Sequence, residues 1–576
     1  MDSTDSPETR PTLRSRRDFE AFQMAAQARW ADLWDGNRIV ISVGVDSSSI
    51  AKGALDVLAA CRKAIQGERA IVREVSGNGA QWMEPWIEIK RPGEPPILFG
   101  PIARDEVPTL LAGGLRDRAV GVRADTSFGG IPLLSTHPFF KHQHRIVLAN
   151  LGIIEPMSIG DALARGAYSA YLKVLFDLSP QKTIAEVTAA NVRGRGGAGF
   201  PAGVKWESGR KARVTPKFVV CNSHEGEPNV YKDRRILEGD PHRVLEGILI
   251  AAVTVGAQTA YNYIGGEYPL AIRRFRQAVT DAERLGLIGK NVLGSGKDVE
   301  FRLRTGGGAY ICGEGSAMMY SVMGVRGQPR TKPPRSVEEG LWKRPTVANN
   351  TETLANIPDI INKGGAWYAA LGTEGSKGTK LITVQGPLKT VGLVEVPMGI
   401  SLRTLIHEVW GGMRDGSMFK GVQTGGVSAG PLTAAHLELP VDFDSLTSVG
   451  GMLGSGGFAV FDQHVCAVDF ARYLMAFNRY ESCSKCVPCR LGNPALVEIL
   501  DRIRLGRGSL DDLPLMERTS KHVIDLSLCG LGQVAPMPLL GMMKMYPDEF
   551  RAHIVDGVCP AGVCPIGAGE RALAAD

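Results

Sequence analysis

The sequence has little cysteine, no long apolar run and almost no surplus of one charge, and each shortage excludes a class of protein. Ten cysteines in 576 residues are too few for a secreted disulfide scaffold. The most apolar uncharged stretch starts at Gly247 and is spent by Ala257, with Gln258, Thr259 and Asn262 close behind. That falls well short of the ~18 apolar residues of a membrane span. Lys and Arg total 66 against 60 Asp and Glu, a balance too even to name nucleic acid or anionic lipid as a partner. There is no internal repeat and no low-complexity tract. Ser15-Arg16-Arg17 resembles a twin-arginine export signal, but residues 20–35 are amphipathic where an apolar region should follow. A cytoplasmic protein is the expectation.

Glycine is what the chain has in excess, 70 residues where ~7% of a chain is usual. At ~100–200 residues per domain the length predicts several cores, and the fold class expected is multidomain α/β. Residues 1–36 read as an N-terminal arm of helical pattern. Residues 37–125 follow the order βαβββα of a thioredoxin-like domain, with strands near 39–43, 70–75, 86–90 and 96–99 and a final helix near 105–111. Its first helix is capped by Ser47-Ser48-Ser49 and carries Ile50, Leu55, Leu58 and Cys61 on one face. Residues 126–180 form a connector with helices at 144–151 and 159–175. Residues 181–375 suit an α/β cofactor-binding domain. Residues 376–462 suit a ubiquitin-like β-grasp domain with strands at 381–384 and 392–396 and a helix at 402–410. Residues 463–576 are helical by pattern and hold seven of the ten cysteines.

Those cysteines fall into two groups. Cys483, Cys486 and Cys489 recur at intervals of three, and Cys529 stands forty residues further on. Three close thiolates and one remote thiolate suit the corners of a [4Fe–4S] cluster. Zinc ribbons prefer two separated C-x₂-C pairs, and a disulfide accounts for only two of the four. In the second group Cys466, His553, Cys559 and Cys564 suit a Cys₃His zinc site, with buried unligated thiols as the alternative. Cys61, Cys221 and Cys312 are expected to be packing residues.

Four loops between 190 and 355 gather glycines and polar groups. Gly194-Arg195-Gly196-Gly197-Ala198-Gly199 has the letters of a dinucleotide fingerprint. Residues 184–192 before it do not alternate like a strand, and Pro201 interrupts the helix expected after it. Exposed N–H groups there still suit a phosphate or a flat ring, with Lys205 near to answer charge. Asn222, His224, Glu225 and Glu227 end a strand-like run, the place where α/β proteins bind ligands. Residues 306–315 and 349–353 add two more such loops. Together with the cysteines they predict a cofactor that exchanges electrons with a cluster.

The strings 194–206, 221–234, 310–314, 349–358 and 481–490 closely resemble the NADH-binding flavoprotein subunit of respiratory complex I and its relatives in NAD-linked hydrogenases and formate dehydrogenases. The resemblance implies FMN held by Gly194, Arg195, Gly196, Lys205, Asn222, His224, Glu225, Tyr310, Gly313, Glu314, Asn349 and Asn350. It implies NAD beside Gly199, Phe200, Glu227, Gly315, Lys332 and Arg335. No general acid or base is required, Glu227 being the one catalytic candidate. His224, Gly315 and Arg335 replace the family's usual Asp, Glu and Phe, removing carboxylate and adding potential positive charge, which implies an altered cofactor affinity. Residues 38–115 resemble the [2Fe–2S] domain of the same assemblies, with Asp46, Ser47, Ser48 and Ser49 where thiolates would stand, so a scaffold without a cluster is expected.

Because complex I flavoprotein subunits generally lack this front domain, the resemblance favours the β (diaphorase) subunit of a soluble NAD-dependent formate dehydrogenase. Its partner would be a molybdenum- or tungsten-containing α subunit with further iron–sulfur clusters. The alternatives are the diaphorase subunit of a [NiFe] hydrogenase or of a complex I-type NADH dehydrogenase. A non-catalytic iron–sulfur electron-transfer subunit would keep the cysteines and lose the cofactor loops.

Overall fold

The computed structural model describes residues 12–65, 70–116 and 136–566. The division expected at 125/126 and the first eleven residues of the arm lie outside them. Ser15 caps a helix, Arg16–Asp35, accepting from the backbone N–H of Asp18. Arg16 reaches across to Asp177 at 2.7 Å and Gln23 bonds the Leu163 carbonyl. The pair that resembled an export signal therefore opens a helix docked on the main body.

The front sheet has the order β2-β1-β3-β4, from Ile39–Gly44, Ala70–Val75, Ile87–Lys90 and Ile97–Phe99. β1 runs parallel to β2 and antiparallel to β3, as a βαβ unit followed by a hairpin requires. Its first helical segment breaks at Gly53, where φ is 95°, and resumes as Ala54–Ala64. That segment lays Val57, Leu58 and Cys61 on the sheet.

Residues 144–151 are turns, not the helix expected. The N–H groups of Ile146, Val147 and Leu148 all point at the Glu395 carboxylate, at 2.9, 3.0 and 2.8 Å. The backbone curls round a buried anion that the local sequence does not reveal. The helix expected at 159–175 is likewise split, into Ile159–Ala164 and Ser169–Leu172 with a π-helical turn at Lys173–Asp177. Glu246 caps the second piece by accepting from Ala170 and Tyr171 at 3.0 and 3.1 Å.

The central sheet is wholly parallel, in the order β7-β6-β5-β8. Its strands are β5 (Phe218–Ser223), β6 (Thr259–Gly265), β7 (Glu300–Gly306) and β8 (Thr346–Asn350). The chain moves outward through β6 and β7 and then returns to the other side of β5. A topological switch point therefore lies between β5 and β8, and ligands in open α/β sheets bind beyond the strand ends there. Asn222 and Asn350 are paired at that end. The helices Pro241–Val255 and Thr351–Lys363 pack together beneath one face of the sheet, and Met318 and Met319 of the helix Gly315–Val322 cover the other.

A five-stranded sheet follows, in the order β10-β9-β13-β11-β12. It comprises β9 (Thr379–Gln385), β10 (Leu393–Pro397), β11 (Phe419–Gln423), β12 (Pro431–Leu432) and β13 (Gly457–Asp462). β13 runs parallel to β9 at its centre. The helix expected at 402–410 is a π-helical turn, Thr404–Val409. The helices Ala467–Tyr480, Val487–Arg504, Asp512–Leu526 and Met537–Met545 close the structure. No helix among the described residues is long and apolar enough to cross a membrane.

Candidate functional site

The switch point opens into a cavity of about 690 Å³ walled by all three units after the front sheet. Such a volume suits a ligand of a few hundred daltons or more. The central domain supplies Gly196, Asn222, His224, Glu225, Tyr310, Gly313 and Asn350, the five-stranded unit Ser428, Met452 and Ser455, and the helical unit Asn478 and Leu531. The glycine loop lies between the helix Pro180–Ala189 and the helix Ala202–Lys211, so it is not a strand-to-helix turn. Pro201 occupies the cap position and starts the second helix where the sequence pattern had it breaking one.

The cavity has the form of a cradle. Gly197 has φ 127° and a Cβ there, or at Gly315, would project into open space, while one at Gly196 would press on Asn350 at 3.0 Å. Close backbone approach by a flat ring or a phosphate needs this geometry. His224 is 6% exposed, stacks on Tyr263 with centroids 5.8 Å apart, and neither ring nitrogen has a protein partner. A buried imidazole with two orphan nitrogens facing a cavity fits a hydrogen-bonding ligand. Burial holds its pKa below the usual histidine value.

Charge is concentrated beneath the floor. Lys232 is buried and lies 2.8 Å from Asp233, 3.3 Å from Glu352 and 3.7 Å from Glu225. Asn350 donates to Asp233 at 2.6 Å, and Asp233 and Arg234 donate their N–H groups to Glu225. Burial pushes Glu225 up to about 7, with Asp233 adding to the shift and Lys232 opposing it. Glu227 is raised by burial, and its carboxylate accepts from the Val427 N–H at 3.2 Å and from the Ser455 hydroxyl. The one catalytic candidate therefore also ties the central domain to the five-stranded unit.

Of the residues expected around FMN, Gly196, Asn222, His224, Glu225, Tyr310, Gly313, Glu314 and Asn350 line the cavity; Gly194, Arg195, Lys205 and Asn349 do not. The Arg195 guanidinium is fully buried on the Thr379 and Lys377 carbonyls and the Tyr368 hydroxyl. Asn349 holds the Trp206 indole at 3.0 Å. Lys205 donates to the Ala348 carbonyl at 2.7 Å. These three shape the wall from behind.

Of the residues expected around NAD, only Glu227 lines the cavity; Gly199, Phe200, Gly315, Lys332 and Arg335 do not. Lys332 stands beside it, 3.2 Å from Glu314, and Phe200 is 43% exposed with the Lys205 ammonium 5.8 Å from its ring. The Arg335 backbone N–H caps on Glu338. Sequence reasoning missed Lys232, Asp233, Ser455 and Asn478. Lys232 and Asp233 follow closely on the polar end of β5 and could have been found there, whereas Ser455 and Asn478 reach the cavity only through packing of distant units.

The first cysteine group adjoins this cavity. Cys486 and Cys529 occupy the cap positions of the helices Val487–Arg504 and Gly530–Val534. Burial pushes the Cys529 thiol above its usual value, opposed by the N–H groups of Gly532 and Leu531 that address its sulfur. The Cys489 sulfur shares a hydrogen bond with the Ser482 hydroxyl at 3.2 Å and accepts from the Asn493 amide at 3.4 Å. Cys483 and Cys529 pack against the apolar cluster that holds Ile311 and Cys312, on the sheet face covered by the helix Gly315–Val322. Gly530 and Leu531, next to Cys529, line the cavity itself. These soft donors with hydrogen bonds to sulfur fit an iron–sulfur cluster. The second group also converges: the ligand atoms of Cys466, His553, Cys559 and Cys564 all lie within 4.8 Å of one another.

In the front sheet Asp46 caps the helix Ser47–Ala51 and accepts from Ser48 and Ser49. Arg235 pairs with both Asp46 and Glu84, and Ser47 bonds Glu238. The loop facing the central domain thus uses carboxylates and hydroxyls as a docking contact. Cys61 and Cys221 are fully buried and Cys312 is 8% exposed, as packing residues should be.

Residues 187–359 match the Nuo51 FMN-binding domain, and residues 469–553 match the NADH-ubiquinone oxidoreductase-F iron–sulfur binding region. The NADH-quinone oxidoreductase F 2 subunit of Rhizobium meliloti is 44% identical over 72% of this chain and 99% of its own length. The chain belongs to the family of NADH-quinone oxidoreductase F subunits. The NADP-reducing hydrogenase subunit HndC of Solidesulfovibrio fructosivorans is 45% identical over 74% of this chain and 86% of its own. Among solved structures, an NAD⁺-reducing [NiFe]-hydrogenase in the H₂-reduced state superimposes with a TM-score of 0.64 at 26% identity, over 94% of this chain and 92% of that one. This F-type subunit is an NADH-dehydrogenase-type diaphorase with FMN and a [4Fe–4S] centre, and NAD is its substrate.

Proposed function

We propose that this F-type subunit is the diaphorase of a formate dehydrogenase built from separate subunits, taking electrons that originate in formate and forming NADH. The observation that supports the diaphorase step most is that Leu531, two residues from Cys529, lines the same cavity as Asn222, His224 and Asn350. A cluster on these cysteines lies within one side chain of whatever the cavity holds. When bound, FMN supplies the conversion between the electron pair of nicotinamide and the single electrons of the cluster.

The chain's own task is placement. The glycine loop admits a flat ring, Asn222 and Asn350 offer amides at the switch point, and Met452, Leu531 and Val534 narrow the wall from the far side. Glu314 caps the helix Gly315–Val322 and holds Lys332 near the opening, where an ammonium suits a dinucleotide phosphate. No side chain is needed as a proton donor at the reacting carbon.

The formate assignment rests on the front sheet and on resemblance. The hydrogenase structure covers 94% of the chain, more than the part without the front sheet can supply. That coverage favours an assembly of the hydrogenase kind over complex I, and the resemblance extends it to formate dehydrogenase. A second reading, the diaphorase of an NAD-linked hydrogenase, is favoured by the same structural match. Purifying the tagged chain from its own cells and assaying the complex with formate and with H₂ separates the two. NAD⁺ reduction by formate, with molybdenum or tungsten present, is expected; reduction by H₂ with nickel present would replace the formate reading.

A further inference from the structure

Beyond the flavin and its cluster, we propose that Cys466, His553, Cys559 and Cys564 hold a single tetrahedral zinc ion that staples the end of the described chain to the helix leading to the cluster. The sulfur of Cys466 lies 3.4 Å from His553 Nε2, His553 Nε2 lies 3.3 Å from the Cys564 sulfur, and the two sulfurs are 3.5 Å apart. Ligands at ~2.0–2.3 Å around one tetrahedral ion stand ~3.3–3.8 Å from each other. Among the described residues this is the group of three or more such side chains whose ligand atoms draw together in this way.

Neither a disulfide, nor a second iron–sulfur cluster, nor plain packing accounts for all four side chains. A disulfide brings its sulfurs to ~2.05 Å, and the Cys466 and Cys564 sulfurs stay well beyond that. It would also leave a buried imidazole aimed at two thiols. A second iron–sulfur cluster spreads its ligands over two or more irons and holds those on different irons wider apart than one ion does, whereas all four ligand atoms here lie within 4.8 Å of one another. Simple apolar packing does not explain why His553, fully buried, turns its Nε2 to sulfur from both sides.

The surroundings have what a zinc site needs around its ligands. His553 Nδ1 lies 2.7 Å from the Glu549 carbonyl, which fixes the proton on Nδ1 and leaves the Nε2 lone pair for metal. Cys466 caps the helix Ala467–Tyr480, and the Asp469 N–H addresses its sulfur. Glu549 itself is anchored, accepting from Ala467 at 2.9 Å and pairing with Lys420 at 2.6 Å. Three thiolates and a neutral imidazole form a complete four-ligand set with no open position, the pattern of a structural centre that carries no electrons.

Its mechanical consequence follows from the helix it begins. Cys466 opens the helix Ala467–Tyr480, and just past its end Glu481 accepts the Tyr310 N–H at the cofactor cavity, at 2.9 Å. Cys483 comes next. An ion at one end of this helix therefore ties the C-terminal segment to the element that leads to the iron-binding loop, while the cluster keeps its own four thiolates.

Metal analysis of the full chain, purified with its flavin and iron, tests the proposal. One zinc per chain is expected beside about four irons, and cobalt exchanged into the site should show thiolate-to-cobalt charge-transfer and tetrahedral ligand-field bands. Cys564→Ser and His553→Gln should lower zinc content at least tenfold while FMN and iron stay within a fifth of their starting content. Because the cobalt spectrum uses the unaltered chain, a variant that fails to fold leaves the test intact. Zinc absent from chain with full flavin and iron, iron near eight per chain, or free alkylation of Cys559 and Cys564 in the native protein would each overturn it. None of those results would disturb the diaphorase reading, which depends on flavin and the first cysteine group.

Discussion

Lys380 on β9 and Glu352 at the start of the helix Thr351–Lys363 form an ion pair 2.6 Å long, and neither side chain is reached by solvent. The Glu352 carboxylate also accepts the Leu381 N–H at 2.9 Å and lies 3.3 Å from Lys232. Burial opposes its charge, but Lys380 and Lys232 override that and hold its pKa below the ordinary glutamate value. The pair joins the five-stranded unit to the floor of the cofactor cavity. Removing one partner of a buried pair strands the other charge, at about 3–5 kcal/mol.

Lys380→Met should therefore lower stability by about that amount and release FMN on mild heating. The Glu352 contribution is present above the usual glutamate range and is lost as pH falls through its lowered value, so the variant and the parent should converge in acid. Thermal melts monitored by flavin fluorescence across pH 4–8 check both statements. Equal melting temperatures at neutral pH would contradict them.

Burial, with Lys332 nearby, lowers Lys205 to about 8. The group is cationic below that value and neutral above it, and its ammonium is held behind the wall on the Ala348 carbonyl, not on the cavity. Lys205→Met should therefore leave FMN affinity of the flavin-free chain within a few-fold of the parent at both pH 7 and pH 9, as titration by fluorescence quenching would record. A tenfold loss at pH 7 that fades toward pH 9 would instead place the ammonium on the ligand.

Cys486→Ser removes one thiolate from the cluster set while leaving the cavity lining intact. NADH-to-dye activity should stay within a few-fold of the parent, because a dye can take electrons before the cluster is needed. Turnover that joins the partner subunits to NAD⁺ should disappear. Loss of both activities with FMN still bound would show that the cluster does not lie beyond the flavin.

Arg235 is 1% exposed and pairs with Glu84 at 2.7 Å and with Asp46. Arg235→Leu leaves two carboxylates buried without their cation at the junction of the front sheet and the central domain. Limited proteolysis should then detach the front sheet at least ten times faster, while the flavin content of the remainder is kept. Unchanged cleavage would mean that the front sheet is held by other contacts, such as Arg274 on the Val45 and Glu238 carbonyls.

What the sequence determined by itself was local. Strand alternation placed β1, β2 and β9, cysteine spacing named an iron–sulfur centre, and the polar ends of β5 and β8 marked a ligand site, because each signal lies within a few residues. The turns at 144–151 escaped that reading because Glu395, which organises them, is about 250 residues away. Arg195 and Asn349, which the resemblance places at FMN, turn their side chains to Thr379, Tyr368 and Trp206 behind the cavity wall, partners that come from elsewhere in the chain. Only tertiary structure brought Leu531 and Ser455 to the same cavity as Asn222. Burial and packing between distant segments decide which side chains face a cavity, and one-dimensional spacing carries no record of them.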